Sequence, residues 1–306
     1  MSIIFPNNET AKITYEFSGG RFGDNLLAYL HAKWLSFQYK IPLLYKNFQY
    51  SDQLMLHKIE NPRSSYRSHV VKKELTLTKE NLIIDTKANC VYVVPYFSEF
   101  ESEHLSPINN KWIHFDVDWK NPDFLTEIQK TIQPINKDLL NFPLPNDHIC
   151  IAVHIRRGDG PLLSDIENAV HNPYEYVDFK DLLKFPPKSF YIKQIIYCIH
   201  LFQDFKLYIY IFTDDENPQI LTEYFKKKFE NYKNVKFSCR EKKVTLLEDF
   251  FAMTKFDCLI RPQSNFSYVA AKIAKYMLEI SPQKGHWEQI NNQWKPIIDE
   301  ITLLGG

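Results

Sequence analysis

The chain has no surplus of charge of either sign. Its 37 Lys and Arg residues balance 37 Asp and Glu, giving a formal net charge of +0. A protein that neutralises a run of nucleic-acid phosphates carries a basic stripe, and none is present. Clusters such as Lys226-Lys227-Lys228 read as a solvated helix face. No apolar run approaches the roughly 18 residues that span a bilayer. The opening residues, Met1-Ser-Ile-Ile-Phe-Pro-Asn-Asn-Glu9, lack both the basic start and the apolar stretch of a secretory signal. A soluble, cytoplasmic protein of bacterial type is expected, with neither a transmembrane segment nor a nucleic-acid partner. The 5 cysteines (Cys90, Cys150, Cys198, Cys239 and Cys258) are odd in number and never form a Cys-x-x-Cys. Most sit in apolar runs, so reduced core thiols are expected rather than disulfides or zinc ligands. No Gly-x-Gly-x-x-Gly follows any strand, which speaks against an NAD-dependent oxidoreductase. No Gly-Lys-Ser/Thr follows the glycines near the amino terminus, which excludes a Walker loop. No Asp-x-Asp metal motif stands in a suitable place, and no metal site is expected.

What is present is enough for two α/β domains. The 306 residues, 44% hydrophobic and 24% charged, exceed one ordinary domain and allow two cores. The first half opens with a strand-like run, Ile13-Thr-Tyr-Glu-Phe17, then the glycine loop Ser18-Gly-Gly-Arg-Phe-Gly23. A helical pattern follows from Asp24 to about Lys40, with Leu26, Leu27, Leu30, Trp34 and Leu35 on one face. Ile41–Tyr45 and Cys90–Val94 read as further strands, and 122–135 as a helix started near Asn121-Pro122. The proline-rich stretch Asn141–Asp147 breaks both periodicities, so the boundary is placed at 145/146.

The second half alternates strictly. Ile149–Ile155 is a continuous apolar run, as in a strand buried on both faces. A long loop is expected from about Gly158 to Lys188. Helices over 190–202, 218–232, 246–253 and 265–277 then alternate with strands at 207–212, 235–238 and 258–260. That order implies a doubly wound parallel sheet over 146–280. Residues 281–306, with Trp287 and Trp294, are expected to form a tail packing back on the first domain.

The chemistry concentrates at His154-Ile-Arg-Arg-Gly-Asp159, directly after the apolar strand. Open α/β sheets bind ligands at the carboxyl ends of their strands. Strand alternation puts His154 and Arg156 on one side and Arg157 on the other. Arginine forks match phosphate oxygens two at a time. The structural alternative is a salt bridge between the domains that uses Asp159.

Val153-His-Ile-Arg-Arg-Gly-Asp159 resembles the first signature of the α1,2-fucosyltransferases. In looser form the α1,6- and protein O-fucosyltransferases share it. Ile211-Phe-Thr-Asp-Asp215 is similar to the second signature of that family. Asp257-Cys-Leu-Ile-Arg-Pro-Gln-Ser-Asn-Phe-Ser-Tyr-Val-Ala-Ala271 is similar to the third. Gly20-Arg-Phe-Gly-Asp-Asn25 resembles the amino-terminal glycine loop, with Asp24-Asn25 where Asn-Gln is usual. The resemblance implies a GT-B-like α/β fold of two facing Rossmann-like domains, 1–145 and 146–280, with the second holding a GDP-sugar. It implies Arg156 on the β-phosphate, and His154 with one of Asp214 and Asp215 near guanine. Arg157, Ser264, Phe266, Ser267, Gly20 and Gly23 complete the donor-binding set that it suggests.

Each assignment has a plainer alternative. Asp214 and Asp215 could cap the helix near Pro218, and Ser264 could cap the helix it precedes. Phe266 could be core, and the glycines could only make a tight turn. The implied reaction is an inverting, metal-independent transfer of fucose from GDP-fucose to a glycan hydroxyl, with an α1,2 linkage on a galactoside favoured. Arg156 would assist GDP departure. The base is Asp159, Glu167 or His171, with Asp159 preferred. The alternatives are another GDP-sugar on the same scaffold, or a non-catalytic sugar-nucleotide-binding protein.

Overall fold

The computed structural model describes residues 11–65, 73–77, 83–95, 117–158, 179–241, 244–290 and 293–305. It divides into two compact units, Met1–Lys137 and Asp138–Gly306.

In the first unit the elements run β1 (Lys12–Tyr15), α1 (Phe22–Tyr39), β2 (Leu44–Tyr45), α2 (Leu56–Ile59), β3 (Asn61–Pro62), β4 (Glu74–Thr76), β5 (Val91–Val94) and α3 (Pro122–Thr131). Strands β1, β5 and β4 lie side by side in that order, all parallel, and β2 pairs in parallel with β3. Every residue of β1 and β5 is buried, the pattern of parallel strands covered on both faces. Helix α1 buries Leu26, Leu27, Leu30, Trp34 and Leu35, as its spacing predicts, and with them every other residue from Leu26 to Leu35. Helix α3 starts where Asn121-Pro122 indicates. The Asn121 side chain accepts from the amides of Asp123 and Phe124, and Pro122 fills a position where no amide is needed.

The second unit runs β6 (His148–Ile155), α4 (Phe179–Lys184), α5 (Lys188–Leu201), β7 (Lys206–Thr213), α6 (Pro218–Lys228), β8 (Val235–Cys239), α7 (Leu246–Met253), β9 (Cys258–Ile260), α8 (Asn265–Ile273), β10 (Leu278–Ile290) and β11 (Gln293–Gly305). Its six-stranded sheet has the order β11-β10-β9-β6-β7-β8. All neighbours are parallel except the β10–β11 hairpin. From β6 the chain lays β7 and β8 to one side, then returns to lay β9 and β10 on the other. The strand order therefore reverses between β6 and β9.

Strand alternation sorts the β6 side chains between two cores. Ile151, Val153 and Ile155 face Phe190, Tyr191, Ile195 and Cys198 of α5 and Leu221 and Phe225 of α6. On the sheet's other side, Phe142, Tyr210, Phe212 and Phe256 pack edge-to-face and tilted, with centroids 4.7–6.4 Å apart. Cys90, Cys150, Cys198 and Cys258 are buried thiols, and Cys239 is half-buried. Among the described residues, no helix is long and apolar enough to cross a membrane.

The parallel α/β character read from the sequence holds in both units, but three boundaries differ. The units part between Lys137 and Asp138, ahead of the proline-rich stretch, because Phe142 anchors that stretch on Tyr210 and Phe256 of the second unit. Residues 281–306 were expected to form a tail. Their described part belongs to β10 and β11 of the second unit's sheet, with Leu278–Ile280 hydrogen-bonded to β9. The expected loop from Gly158 to Lys188 contains α4.

Candidate functional site

The strand reversal between β6 and β9 makes the crevice outside their carboxyl ends the expected ligand position in an open α/β sheet. Three chain segments leave the sheet there: 156–158 after β6, 214–217 after β7, and 261–264 between β9 and α8.

His154 is the last inward residue of β6 on the α7–α8 side. It is 7% exposed, with its ring 5.7 Å from that of Phe266, which in turn lies 5.5 Å from Phe250. Burial lowers its pKa to about 4; Asp214 opposes the shift, and the Arg156 and Arg261 charges add to it. The imidazole is therefore neutral at pH 7. Its Nδ1 is enclosed and has no hydrogen-bond partner among the described residues. Such a group is rare in a folded interior and marks a place where a ligand or water completes the bonding.

This shift has a measurable consequence. The unfolded imidazole titrates near pH ~6.5, and the folded one near 4. The stability that neutral His154 contributes is fully present above the unfolded value and is lost as pH falls towards the folded one. Between pH 7 and pH 4 this loss is about 3 kcal/mol. Urea denaturation across that range should give a visibly shallower decline for His154→Gln than for the parent protein.

Arg156 follows, half-buried, with its guanidinium carbon 5.2 Å from the centre of the Phe185 ring. Arg157 falls on the opposite side, as alternation requires. Its charge acts on the Tyr191 phenol of α5, whose pKa burial drives up while Arg157 pulls it down. The Arg157 amide donates to Asp214 Oδ1 at 2.6 Å. That bond ties the β6 exit to the β7 exit. Gly158 keeps it possible, since a Cβ there would come within 2.9 Å of Asp214 Oδ2.

Asp215 is engaged in the turn. Its carboxylate accepts from the Asn217 amide at 2.8 Å just before α6, and its carbonyl accepts from Arg240 at 3.1 Å. The N-cap of α6 is Asn217, without a side-chain capping bond, so Asp215 shapes the turn ahead of the helix rather than capping it, whereas Asp214 acts between strands.

On the β9 side, Ser264 is the N-cap of α8, buried, with no side-chain capping bond. Its carbonyl accepts from the Tyr268 amide at 2.9 Å and the Ser267 hydroxyl at 3.3 Å. Ser267 therefore ties down the first turn. The amides of that turn have no carbonyl of their own helix to bond, and with the helix dipole they favour an anion.

Two charged residues that the sequence reading left without a role underlie this turn. Arg261 donates from Nε to Glu279 of β10 at 2.7 Å and from Nη1 to the Pro262 carbonyl at 3.2 Å, and its guanidinium carbon lies 5.2 Å from the Tyr268 ring centre. Both partners are buried. A charge interrupting the apolar runs Cys258-Leu-Ile-Arg261 and Leu278-Glu-Ile280 was the available signal.

The remaining residues named from sequence belong to the first unit or lie outside the described residues. Gly20 and Gly23 belong to the first unit, where local contacts explain the loop. Gly19 has φ 83°, a conformation that glycine adopts without strain. A Cβ on Gly20 would overlap the Asp24 carboxylate, which accepts from the Arg21 amide at 3.1 Å. The Asn25 amide group donates to the Gly20 carbonyl at 3.2 Å. Asp159, Glu167 and His171 lie outside the described residues.

No known protein-family profile matches the chain, and no curated protein matches it. Solved structures similar to it include POFUT1 in complex with GDP-fucose, 12% identical over 89% of this chain and 95% of that one, with a TM-score of 0.47. NodZ α-1,6-fucosyltransferase soaked with GDP-fucose is 12% identical over 97% and 99%, with a TM-score of 0.47. A variant of Arabidopsis thaliana FUT1 in complex with GDP is 12% identical over 93% and 72%, with a TM-score of 0.49. At such scores the site must be read from the chain's own geometry.

Proposed function

We propose that the protein is an inverting glycosyltransferase that moves fucose from GDP-fucose to a glycan hydroxyl, with an α1,2 linkage to a galactoside as the favoured product. The observation carrying this reading is the meeting of Arg156, neutral His154 and the α8 amino terminus at the strand reversal of the second unit. A nucleoside diphosphate needs two things there: countercharge for the phosphates and a polar but uncharged contact for the base. Arg156 and the first-turn amides of α8 offer the former, and His154 Nδ1 the latter. The His154-Ile-Arg-Arg-Gly-Asp159 signature supports GDP-fucose as the donor.

In the reaction the acceptor oxygen attacks the anomeric carbon, and the bond from that carbon to the β-phosphate oxygen breaks. The electron pair leaves with GDP, and the acceptor proton passes to a carboxylate or imidazole. Asp159 is the preferred base, ahead of Glu167 and His171. Negative charge grows on the leaving diphosphate as the sugar becomes cationic. Arg156 is already in place to meet it, and preorganised charge of this kind acts without reorganisation during the reaction. The scheme assigns no step to a divalent cation, so excess EDTA should leave turnover unchanged.

Ligand-induced melting tests the donor assignment. A ligand at one hundred times its Kd stabilises the folded state by about 2.7 kcal/mol. GDP-fucose and GDP should raise the Tm by several degrees, whereas UDP-galactose and NAD should not. A shift with UDP-galactose or NAD and none with any GDP compound would overturn the assignment. Binding of GDP-fucose without GDP release across a panel of glycan acceptors would point instead to a non-catalytic binding protein. Turnover with GDP-mannose but not GDP-fucose would change the sugar and keep the scaffold.

A further inference from the structure

Arg156 is not held by the strand it leaves. The β6 ladder ends at Ile155, and beyond it a long flexible side chain must be fixed by something else. The Phe185 ring lies under its guanidinium at 5.2 Å, within the range at which a cation is drawn to an aromatic face.

Phe185 is in turn wedged from several sides. It is buried against Trp287 of β10, with Trp294 of β11 packed on the pair. The segment before it is pinned to the β9–α8 connection, where the Gln263 amide donates to the Leu183 carbonyl at 2.9 Å. The Gln263 side chain donates to the Pro282 carbonyl of β10 at 3.1 Å. At Gly285 the strand gives room: a Cβ there would come within 3.0 Å of Leu182 and 2.5 Å of the Ile297 carbonyl. The close seat of α4 on the hairpin thus depends on a missing side chain.

We propose that Phe185 is a positioning residue that holds the Arg156 guanidinium at the crevice, with the β10–β11 hairpin as its backing. The catalytic consequence rests on the reading of Arg156 as the diphosphate's partner. The holding itself does not. An arginine with many rotamers carries a large entropy cost when it must be ordered for each turnover. A fixed aromatic face meets that cost once, in folding, and leaves the five-donor fork set for phosphate.

The test uses Phe185→Leu, which keeps an apolar side chain and removes the π face, beside Phe185→Tyr, which keeps the face. The first readout is independent of activity. In the 15N–1H spectrum of the full chain, the Arg156 Nε–H resonance is identified by its loss in Arg156→Ala. It should move in Phe185→Leu and stay near its parent position in Phe185→Tyr. An unmoved resonance in Phe185→Leu overturns the holding.

The second readout is kinetic. Phe185→Leu should lower kcat about tenfold with little change in acceptor KM, and Phe185→Tyr should restore it. In an Arg156→Ala background, Phe185→Leu should cost no further activity, because the two residues act through one group. An equal additional loss in that background would show a merely structural role and overturn the proposal. If the resonance moves as expected but Arg156→Ala turns over normally, the diphosphate reading fails while the placement of Arg156 by Phe185 stands.

Discussion

Replacing Arg156 by alanine is expected to cut sugar transfer by about 10²–10³-fold, the loss that follows removal of one preorganised transition-state donor. The fold should survive, because Arg156 lies beyond the end of β6 and belongs to neither core cluster. The measurement is GDP release at saturating donor and acceptor, with near-UV circular dichroism confirming native packing. Affinity for GDP-fucose should weaken less than kcat, since the charge that Arg156 meets is larger during bond cleavage than in the bound donor. Arg156→Lys should recover only part of the loss, because an ammonium offers a point charge in place of a planar fork. Normal turnover in Arg156→Ala would remove the central element of the proposed function.

Glu279→Ala is expected to be the most damaging single change to stability in the second unit. Arg261 and Glu279 face each other at 2.7 Å with both side chains nearly out of water. Their mutual attraction offsets a large desolvation cost. Deleting one partner leaves the other charge buried and uncompensated, which typically costs about 3–5 kcal/mol. Urea denaturation should show that loss with an unchanged slope. The double replacement Arg261→Met with Glu279→Leu removes both charges together and should recover most of it. If Glu279→Ala instead costs under about 1 kcal/mol, the pair behaves as a solvent-screened one, and its role in supporting the α8 turn fails. Donor affinity gives a second view, because the Arg261 backbone leads directly into Pro262 and the cap at Ser264.

The legible parts of this fold are those where one periodicity runs unbroken. Strand β6 could be read because Ile149–Val153 is apolar without interruption, and α1 because Leu26, Leu27, Leu30, Trp34 and Leu35 recur at helical spacing. The site was legible where charge stands against that background, as at His154, Arg156 and Arg157. The hairpin was not. Pro282, Gly285 and Pro296 break its alternation, and the ladder shifts register between Pro282 and Gly285, so the apolar residues lose a strict period of two. The compact units divide ahead of the proline-rich stretch, because Phe142 within it packs on Tyr210 and Phe256, a contact that proline content does not signal. The support of the site was hidden for a different reason. Phe185 meets Arg156 across 29 residues, and Arg261 meets Glu279 across 18. Such pairings follow from sheet order, which no local pattern encodes.

The reversal of strand order has a consequence for how the molecule acquires its competence. The two strands whose ends flank the crevice pair at Val153 and Ile260, although more than a hundred positions separate these residues. Closing so long a stretch of chain costs entropy before the contact rewards it, so such distant pairings come late and slowly. A partly formed sheet with β6, β7 and β8 docked would have Arg156 but no opposing helix end. Such an intermediate should therefore be blind to nucleotide, and any nucleotide that the native crevice holds will slow unfolding rather than hasten folding.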